Sequence, residues 1–210
     1  MLYDYEYEVD ESGIIEIKGF PFRNRYVEIP REKQFRKLYS YVLIDIDLCY
    51  AISFLEQCAK TTDDIERQCC FRMAVIQYAK CYSPSRNGGR LQLEASKVYR
   101  DMPDDPIRCH DKFIDMRNKY FAHDENDFKA SKLGAIIDVD NQRVIGVAYP
   151  KMQAKFDYDA TISILKQLCQ KTKEWVSLRL DQETERISRN IEQRDYDVLN
   201  GYKDMRVFDS

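Results

Sequence analysis

Glycine and proline are scarce in this chain of 210 residues, with seven and six copies. That scarcity argues against a turn-rich sandwich or barrel and favours long helices. The seven cysteines and two histidines include no C-x2-C or H-x3-H pair, which are the spacings typical of zinc sites. We therefore expect a mainly α protein that holds no metal and no cofactor.

Four further absences bear on location and ligands. The chain has no excess of basic residues, since its formal net charge is -3, and this disfavours a nucleic-acid binder with a broad footprint. An enzyme that contacts one or two nucleotides stays compatible. The acidic N-terminus has no apolar signal core, and no uninterrupted apolar run approaches the ~18 residues of a membrane span. The cysteines form no paired framework, so we expect a cytoplasmic protein with reduced thiols and no membrane contact.

Alternating polar and apolar residues predict two β-hairpins. The first covers residues 2–18, with a turn at Ser12-Gly13. The second pairs residues 133–139 with residues 143–148. Both hairpins lie outside the helical periodicity, so we expect them to decorate a helical core.

Apolar residues recur at helical spacing from Glu32 onward and predict a core helix of about 28 residues. Its principal stripe has seven members: Phe35, Leu38, Tyr39, Val42, Ile46, Cys49 and Ser53. Asp45 and Asp47 lie inside this apolar helix and need polar partners. Further helices are predicted after Asp63, over residues 91–102, from Pro106 to the end of the motif described below, and from Tyr158 onward.

These elements divide the chain into three parts. Residues 1–30 form the N-terminal hairpin and a connecting loop. Residues 31–182 form a bundle of four to five helices, with the second hairpin inserted at 133–149. Residues 183–210 form a charged C-terminal helix or tail, which we expect to be exposed, either as a docking segment or partly disordered.

The segment RNKYFAH, residues 117–123, places an arginine and a histidine six positions apart. On a helix that advances about 100° per residue, Arg117 lies within about 20° of His110, two turns earlier. His123 diverges from Arg117 on a straight helix. The two side chains converge if the helix ends near Ala122, or they cooperate across a two-fold axis. A structural role is the alternative, in which Arg117 pairs with Asp111 or Asp115 and His123 caps the helix.

The string RNKYFAHDEN resembles the R-x(4–6)-H region of HEPN (higher eukaryotes and prokaryotes nucleotide-binding) domains. It is similar to the RNK..AH.D stretch of HEPN-like proteins from bacterial abortive-infection and toxin–antitoxin systems. The upstream segment FRMAVIQYAKCYSPSRNGG, residues 71–89, resembles the second helix and following loop of those proteins, and a histidine at the position of His110 recurs there. The resemblance covers roughly residues 32–182.

This resemblance implies a HEPN-like helical bundle that forms a homodimer, with the two motifs facing each other. It also implies a metal-independent endoribonuclease of a bacterial defence or toxin-type system, with RNA as substrate and an antitoxin or activator protein as partner. The RNA 2′-hydroxyl would attack its own phosphate and leave a 2′,3′-cyclic phosphate. His123 would act as acid and base, Arg117 would hold the phosphate, and Asn118 would position the reacting groups.

Five further residues are candidates for substrate binding. His110 and Tyr120 are close to the motif in sequence, Arg72 lies in the helix covered by the resemblance, and Arg86 and Arg90 flank the glycines of SRNGGR. That loop lacks the GK[ST] ending of a phosphate-binding P-loop. HEPN folds also include non-catalytic members, so a module for protein–protein or nucleotide binding is the alternative function.

Overall fold

The helices predicted from sequence dominate the structure. The computed structural model describes residues 7–9, 15–17, 27–29, 32–85, 89–103, 105–121, 134–148 and 158–202. Within these residues the α-helices are α1 Arg36–Lys60, α2 Asp64–Cys81, α3 Ala95–Val98, α4 Pro106–Met116, α5 Tyr158–Glu192 and α6 Tyr196–Asn200. The strands are β1 Tyr7–Val9, β2 Ile15–Ile17, β3 Gly134–Asp138 and β4 Arg143–Ala148. The prediction of a mainly helical protein with two hairpins is confirmed.

Local signals set the beginnings of the helices. The Asp63 carboxylate accepts the backbone N–H of Glu66 at 2.7 Å and caps α2. The Asp105 carboxylate accepts the backbone N–H of Arg108 at 3.0 Å, and Pro106 occupies the first position of α4. These contacts satisfy N–H groups that a helix start leaves unpaired. The helix predicted over residues 91–102 is much shorter than expected, because only Ala95–Val98 is helical.

Both hairpins form antiparallel pairs as predicted. β1 pairs with β2 so that Tyr7 lies opposite Ile17. β3 pairs with β4 around a turn in which the Asp138 carboxylate accepts the backbone N–H groups of Asp140 and Asn141, both at 3.1 Å. Each sheet has only two strands. The β3–β4 hairpin has large apolar side chains in solvent: Ile136, Ile137, Val144, Ile145 and Val147 are 47–62% exposed.

The chain divides into two compact units. One comprises Met1–Leu43, Ser85–Leu91 and Val176–Ser210, and the other comprises Ile44–Pro84 and Gln92–Trp175. α5 continues through residue 182, at which the sequence suggested the start of a separate tail.

The first unit buries part of the expected tail. Ile187 on α5 is 6% exposed, and the guanidinium of Arg194 donates to the carboxylate of Glu32 at 2.8 Å. That guanidinium also lies over the ring of Phe35, 5.5 Å from its centroid. Residues 183–192 are thus helical, and Arg194 attaches the segment to residues near the start of α1, while most side chains of residues 183–202 are exposed or partly exposed, as expected.

The buried face of α1 differs from the one predicted from sequence. Ile44, Leu48, Ala51 and Leu55 are at most 1% exposed. Of the predicted stripe, Val42 and Ile46 are 37% and 42% exposed, Tyr39 is 38% exposed, and Cys49 and Ser53 are exposed as well. A helix that is apolar on most of its surface offers more than one candidate face, so periodicity alone could not select the buried one.

Two lysines explain the aspartates inside α1. The Lys80 ammonium group lies 2.6 Å from the Asp47 carboxylate, whose side chain is 8% exposed. The Lys173 ammonium group lies 2.8 Å from the Asp45 carboxylate. These pairs supply the partners that carboxylates in an apolar helix require.

The segment Lys33–Lys60, which ends with α1, is long and apolar enough to cross a membrane, with 33% of its most apolar window buried within the protein. It is the single helix among the described residues with that property. Core helices of soluble proteins and signal sequences share such a composition, so this helix is weak evidence for a membrane protein.

Two isoleucines on α1 test which face is buried. Replacing Ile44, which is 0% exposed, by alanine should lower the free energy of unfolding by about 2–5 kcal/mol, because it opens a cavity. Replacing Ile46, which is 42% exposed, should cost less than about 1 kcal/mol. Urea denaturation of both variants measures the difference. Equal losses of stability, or a larger loss for Ile46→Ala, would indicate that the stripe predicted from sequence is the buried face.

Candidate functional site

The arginine of the motif begins a π-helical turn. α4 ends at Met116, and residues Arg117–Phe121 continue the chain in the wider π conformation, which packs against α2 and α4. Single π turns are rare and occur frequently at functional sites, because they shift the phase of the side chains that follow. The predicted helix therefore reaches the motif, but its last described turn is wider than an α-helical one.

Arg117 is partly exposed and contacts a neutral neighbour. Its Nη1 donates to the side-chain oxygen of Asn118 at 2.8 Å. Asp115 instead pairs with Lys119 at 3.0 Å. Within the described ranges Arg117 makes no ion pair with Asp111 or Asp115. The alternative in which Arg117 has only a structural role, as the partner of one of these aspartates, is therefore not observed there.

The remaining candidates are distributed differently. His123 and Arg86 lie outside the described residues, and only the backbone of Tyr120 is described, within the π turn. Arg72 is exposed on α2. Arg90 belongs to the first compact unit, whereas Arg117 belongs to the second. Among the predicted site residues, the described structure brings Arg117 and Asn118 together.

His110 is buried in a cluster of hydroxyl groups. It is 6% exposed, and its Nδ1 lies 2.7 Å from the hydroxyl of Tyr78. The Tyr78 hydroxyl lies 2.6 Å from that of Tyr99, which lies 2.8 Å from the Tyr82 hydroxyl and 2.9 Å from that of Thr172. Tyr82 and Thr172 are 2.8 Å apart. At this burial His110 presents almost no surface to a substrate, and it is better placed to position α4 than to bind RNA.

The proton inventory of this network favours one histidine tautomer. The four hydroxyl groups carry four protons, and Thr172 gives its own to the backbone oxygen of Leu168 at 2.7 Å. Five polar contacts remain for three hydroxyl protons. A proton on Nδ1 of His110 supplies a fourth donor, whereas a proton on Nε2 supplies none to the network. We infer that neutral His110 carries its proton on Nδ1 and donates to Tyr78.

Burial keeps the whole network uncharged. Loss of solvent raises the pKa of Tyr78 and of Tyr82 well above the ordinary value, and raises that of Tyr99 to about 12. Burial lowers the pKa of His110, and the nearby carboxylate of Asp111 opposes this only in part. Hydroxyl groups and a neutral imidazole can satisfy one another without a counter-ion.

The sequence did not reveal this network. Tyr78 lies on α2, and Tyr82 directly follows that helix, four residues later on the same face. This spacing is the only local signal that the two side chains share an environment. Tyr99 and Thr172 join from distant parts of the chain. Tyrosine occurs 15 times, so its presence at three of these positions did not stand out.

The described residues contain no group of three or more histidine, cysteine or acidic side chains arranged to hold a metal ion. Comparison of the chain with known protein families, with curated proteins and with solved structures finds no match. The geometry of the residues themselves is therefore the basis for a functional proposal.

Removing one hydroxyl tests the network. Tyr78→Phe removes the hydroxyl that contacts Nδ1 of His110 and one of the three hydroxyl contacts of Tyr99, so we expect the free energy of unfolding to fall by about 1–3 kcal/mol. Tyr50, which is 55% exposed, is the control, and Tyr50→Phe should change stability by less than about 0.5 kcal/mol. Chemical denaturation of both proteins provides the measurement. A Tyr78→Phe protein as stable as its parent would show that the network contributes no net stability.

The two histidines allow a direct test of burial at His110. A proton NMR titration should show one imidazole with a pKa below the reference value of about 6.5, and that resonance should persist in His123→Ala. Because the unfolded chain binds the proton more tightly than the folded one, stability should decline as pH falls through the unfolded pKa and level off below the folded one. A resonance of His110 that titrates at or above the reference value would contradict the buried neutral state.

Proposed function

We propose that this protein is a metal-independent endoribonuclease in which Arg117 binds the reacting phosphate. The observation that carries the proposal is the environment of that arginine. Its side chain is partly exposed, it starts a π turn, and it is hydrogen-bonded to the neutral Asn118 side chain. An arginine with only a structural role in this position would be expected to pair with Asp111 or Asp115.

The chemistry of the guanidinium suits a phosphodiester. It carries five N–H donors in a planar fork, and the bond to Asn118 uses one of them. The Asn118 oxygen holds the fork in one orientation and, because it is neutral, does not compensate the positive charge. A guanidinium oriented in advance stabilises the negative charge that grows on a phosphate during attack.

His123 would move the proton in this reaction. The RNA 2′-hydroxyl gives up its proton as its oxygen bonds to phosphorus, and the 5′-oxygen leaves with a proton. An imidazole can accept the first and donate the second near neutral pH. The products are a 2′,3′-cyclic phosphate and a 5′-hydroxyl, and no metal-activated water is needed. We further propose that a homodimer places two such motifs face to face.

The biological setting is proposed from the resemblance of the motif to HEPN domains. A cytoplasmic ribonuclease of a bacterial defence or toxin-type system needs control, so an antitoxin or activator protein would be its regulatory partner. HEPN membership, the RNA substrate and this partner all belong to the proposal. They rest on the motif and on the environment of Arg117.

One observation favours a second function. The β3–β4 hairpin exposes five large apolar side chains, and an isolated two-stranded hairpin is marginally stable in water. Large exposed apolar side chains in this number on so short an element are typical of a protein-binding element. A non-catalytic HEPN-like module that binds another protein through this hairpin is therefore the competing proposal.

RNA cleavage in EDTA decides between the two. The purified protein should cleave RNA in the chelator, and the products should carry cyclic-phosphate ends. Arg117→Ala and His123→Ala should each lower the rate by about 100-fold or more, because each removes a group that acts on the transition state.

A matched control separates catalysis from net charge. Arg108 is exposed on the same helix, and Arg108→Ala removes the same charge without touching the motif, so its rate should stay close to that of the parent. Circular dichroism and sedimentation establish that all variants fold and assemble alike. If the folded parent cleaves no RNA, or if cleavage survives both motif substitutions, the ribonuclease proposal fails and the binding module is favoured.

A further inference from the structure

Cys49 lies beside the ion pair that explains Asp45. The Lys173 ammonium group lies 2.8 Å from the Asp45 carboxylate and 3.0 Å from Sγ of Cys49. Asp45 and Cys49 are four residues apart on α1, so both face the same side of that helix. Lys173 reaches them from α5. A thiol, an amine and a carboxylate thus meet where two helices contact each other.

The cluster is open to small molecules. Cys49 is exposed, and the side chains of Asp45 and Lys173 are 27% and 36% exposed. A hydrogen peroxide molecule can reach Sγ without a conformational change. Sγ of Cys49 also lies 3.8 Å from the Asp45 carboxylate, so all three groups are in contact at one exposed place.

We propose that peroxide oxidation joins Cys49 and Lys173 through a covalent bond between sulfur and nitrogen. This site is independent of the proposed ribonuclease activity and lies outside the RNKYFAH segment. The bond would add a covalent link between α1 and α5 that forms under oxidising conditions and is broken by a reductant.

The chemistry balances in two steps. The Cys49 thiolate attacks hydrogen peroxide, and a sulfenic acid forms while hydroxide leaves. Sulfur supplies the two electrons. The neutral amine of Lys173 then attacks the sulfenic sulfur, an S–N bond forms, the S–O bond breaks, and water leaves. In total the thiol and the amine lose two hydrogen atoms, and the peroxide becomes two molecules of water.

Asp45 is suited to assist the second step. The amine must lose a proton before it attacks, and the Asp45 carboxylate is in hydrogen-bond contact to accept it. Burial lowers the pKa of Lys173, but the hydrogen bonds to Asp45 and Cys49 raise it by more, so the net pKa is above its ordinary value. Neutral amine is therefore scarce at pH 7, and formation of the link should accelerate as the pH rises.

The other cysteines lack these features. Cys58, Cys70, Cys81 and Cys169 are buried, and loss of solvent raises the pKa of Cys58, Cys70 and Cys169. Cys109 is partly exposed and Cys69 is exposed, and among the described residues no lysine ammonium lies within hydrogen-bond distance of either sulfur. Cys69 is therefore a matched reference for exposure without an adjacent amine.

Mass spectrometry of the full-length protein tests the link. After treatment with hydrogen peroxide and alkylation of the remaining thiols, trypsin should release residues 38–60 joined to residues 172–179. The joined peptide should be lighter than the sum of its two parts by two hydrogen atoms. Its yield should rise between about pH 7 and pH 9 and disappear after dithiothreitol, because a thiol reduces the S–N bond.

Three variants identify the atoms involved. Cys49→Ser should lose the joined peptide completely, whereas Cys69→Ser should retain it. Lys173→Arg keeps a cation beside Asp45 and Cys49, so the fold is preserved, but a guanidinium is a poor nucleophile. That variant should lose the link and accumulate the sulfenic acid, which dimedone traps.

Two results would overturn the proposal. One is a parent protein in which dimedone traps the Cys49 sulfenic acid but no joined peptide forms at any pH. The other is a joined peptide that persists in Cys49→Ser, since the sulfur of the link would then belong to a different cysteine. Neither result bears on RNA cleavage, so this test and that of the ribonuclease proposal are separate.

Discussion

The second compact unit depends on the buried hydrogen bonds that meet at the hydroxyl of Tyr99. This oxygen lies within 2.9 Å of the hydroxyl groups of Tyr78, Tyr82 and Thr172. Each of these groups would be costly to bury alone, because it would give up its bonds to water. Together the hydroxyl groups satisfy one another's hydrogen bonds. Because they come from α2, its C-terminal end, α5 and the residue after α3, these hydrogen bonds determine which segments must meet.

His110 extends this constraint to the candidate site. Its ring bonds to Tyr78 and fixes the rotation of α4. Arg117 directly follows the last residue of α4, seven residues after His110, so it lies within about 20° of the same side of the helix. It is nevertheless partly exposed, whereas His110 is buried. The π turn that begins at Arg117 changes the direction of the side chains after it, and α4 thus carries one buried polar residue and leads to one accessible arginine.

The parts of the fold that follow from neighbouring residues were predictable. Asp63, Asp105 and Pro106 determine where helices begin, and the Asp138 turn closes a hairpin whose strands alternate. The buried face of α1 was not predictable, because the helix is apolar on several sides and its polar residues pair with distant lysines. The motif at Arg117 could be found since it is a short local string. The network behind it could not, because Tyr99 and Thr172 are 73 residues apart in the chain.

Asp45 and Asp47 show how far a sequence can indicate a tertiary contact. A carboxylate in an apolar helix requires a partner, so their presence predicts that cations approach α1 from elsewhere. Which cations approach is decided by packing: Lys80 comes from α2 and Lys173 from α5. The spacing of Asp45 and Cys49 places a thiol on the same side of α1 as a carboxylate. Because Lys173 pairs with the carboxylate of Asp45, its ammonium group also lies 3.0 Å from the sulfur of Cys49, so one ion pair brings an amine and a thiol together.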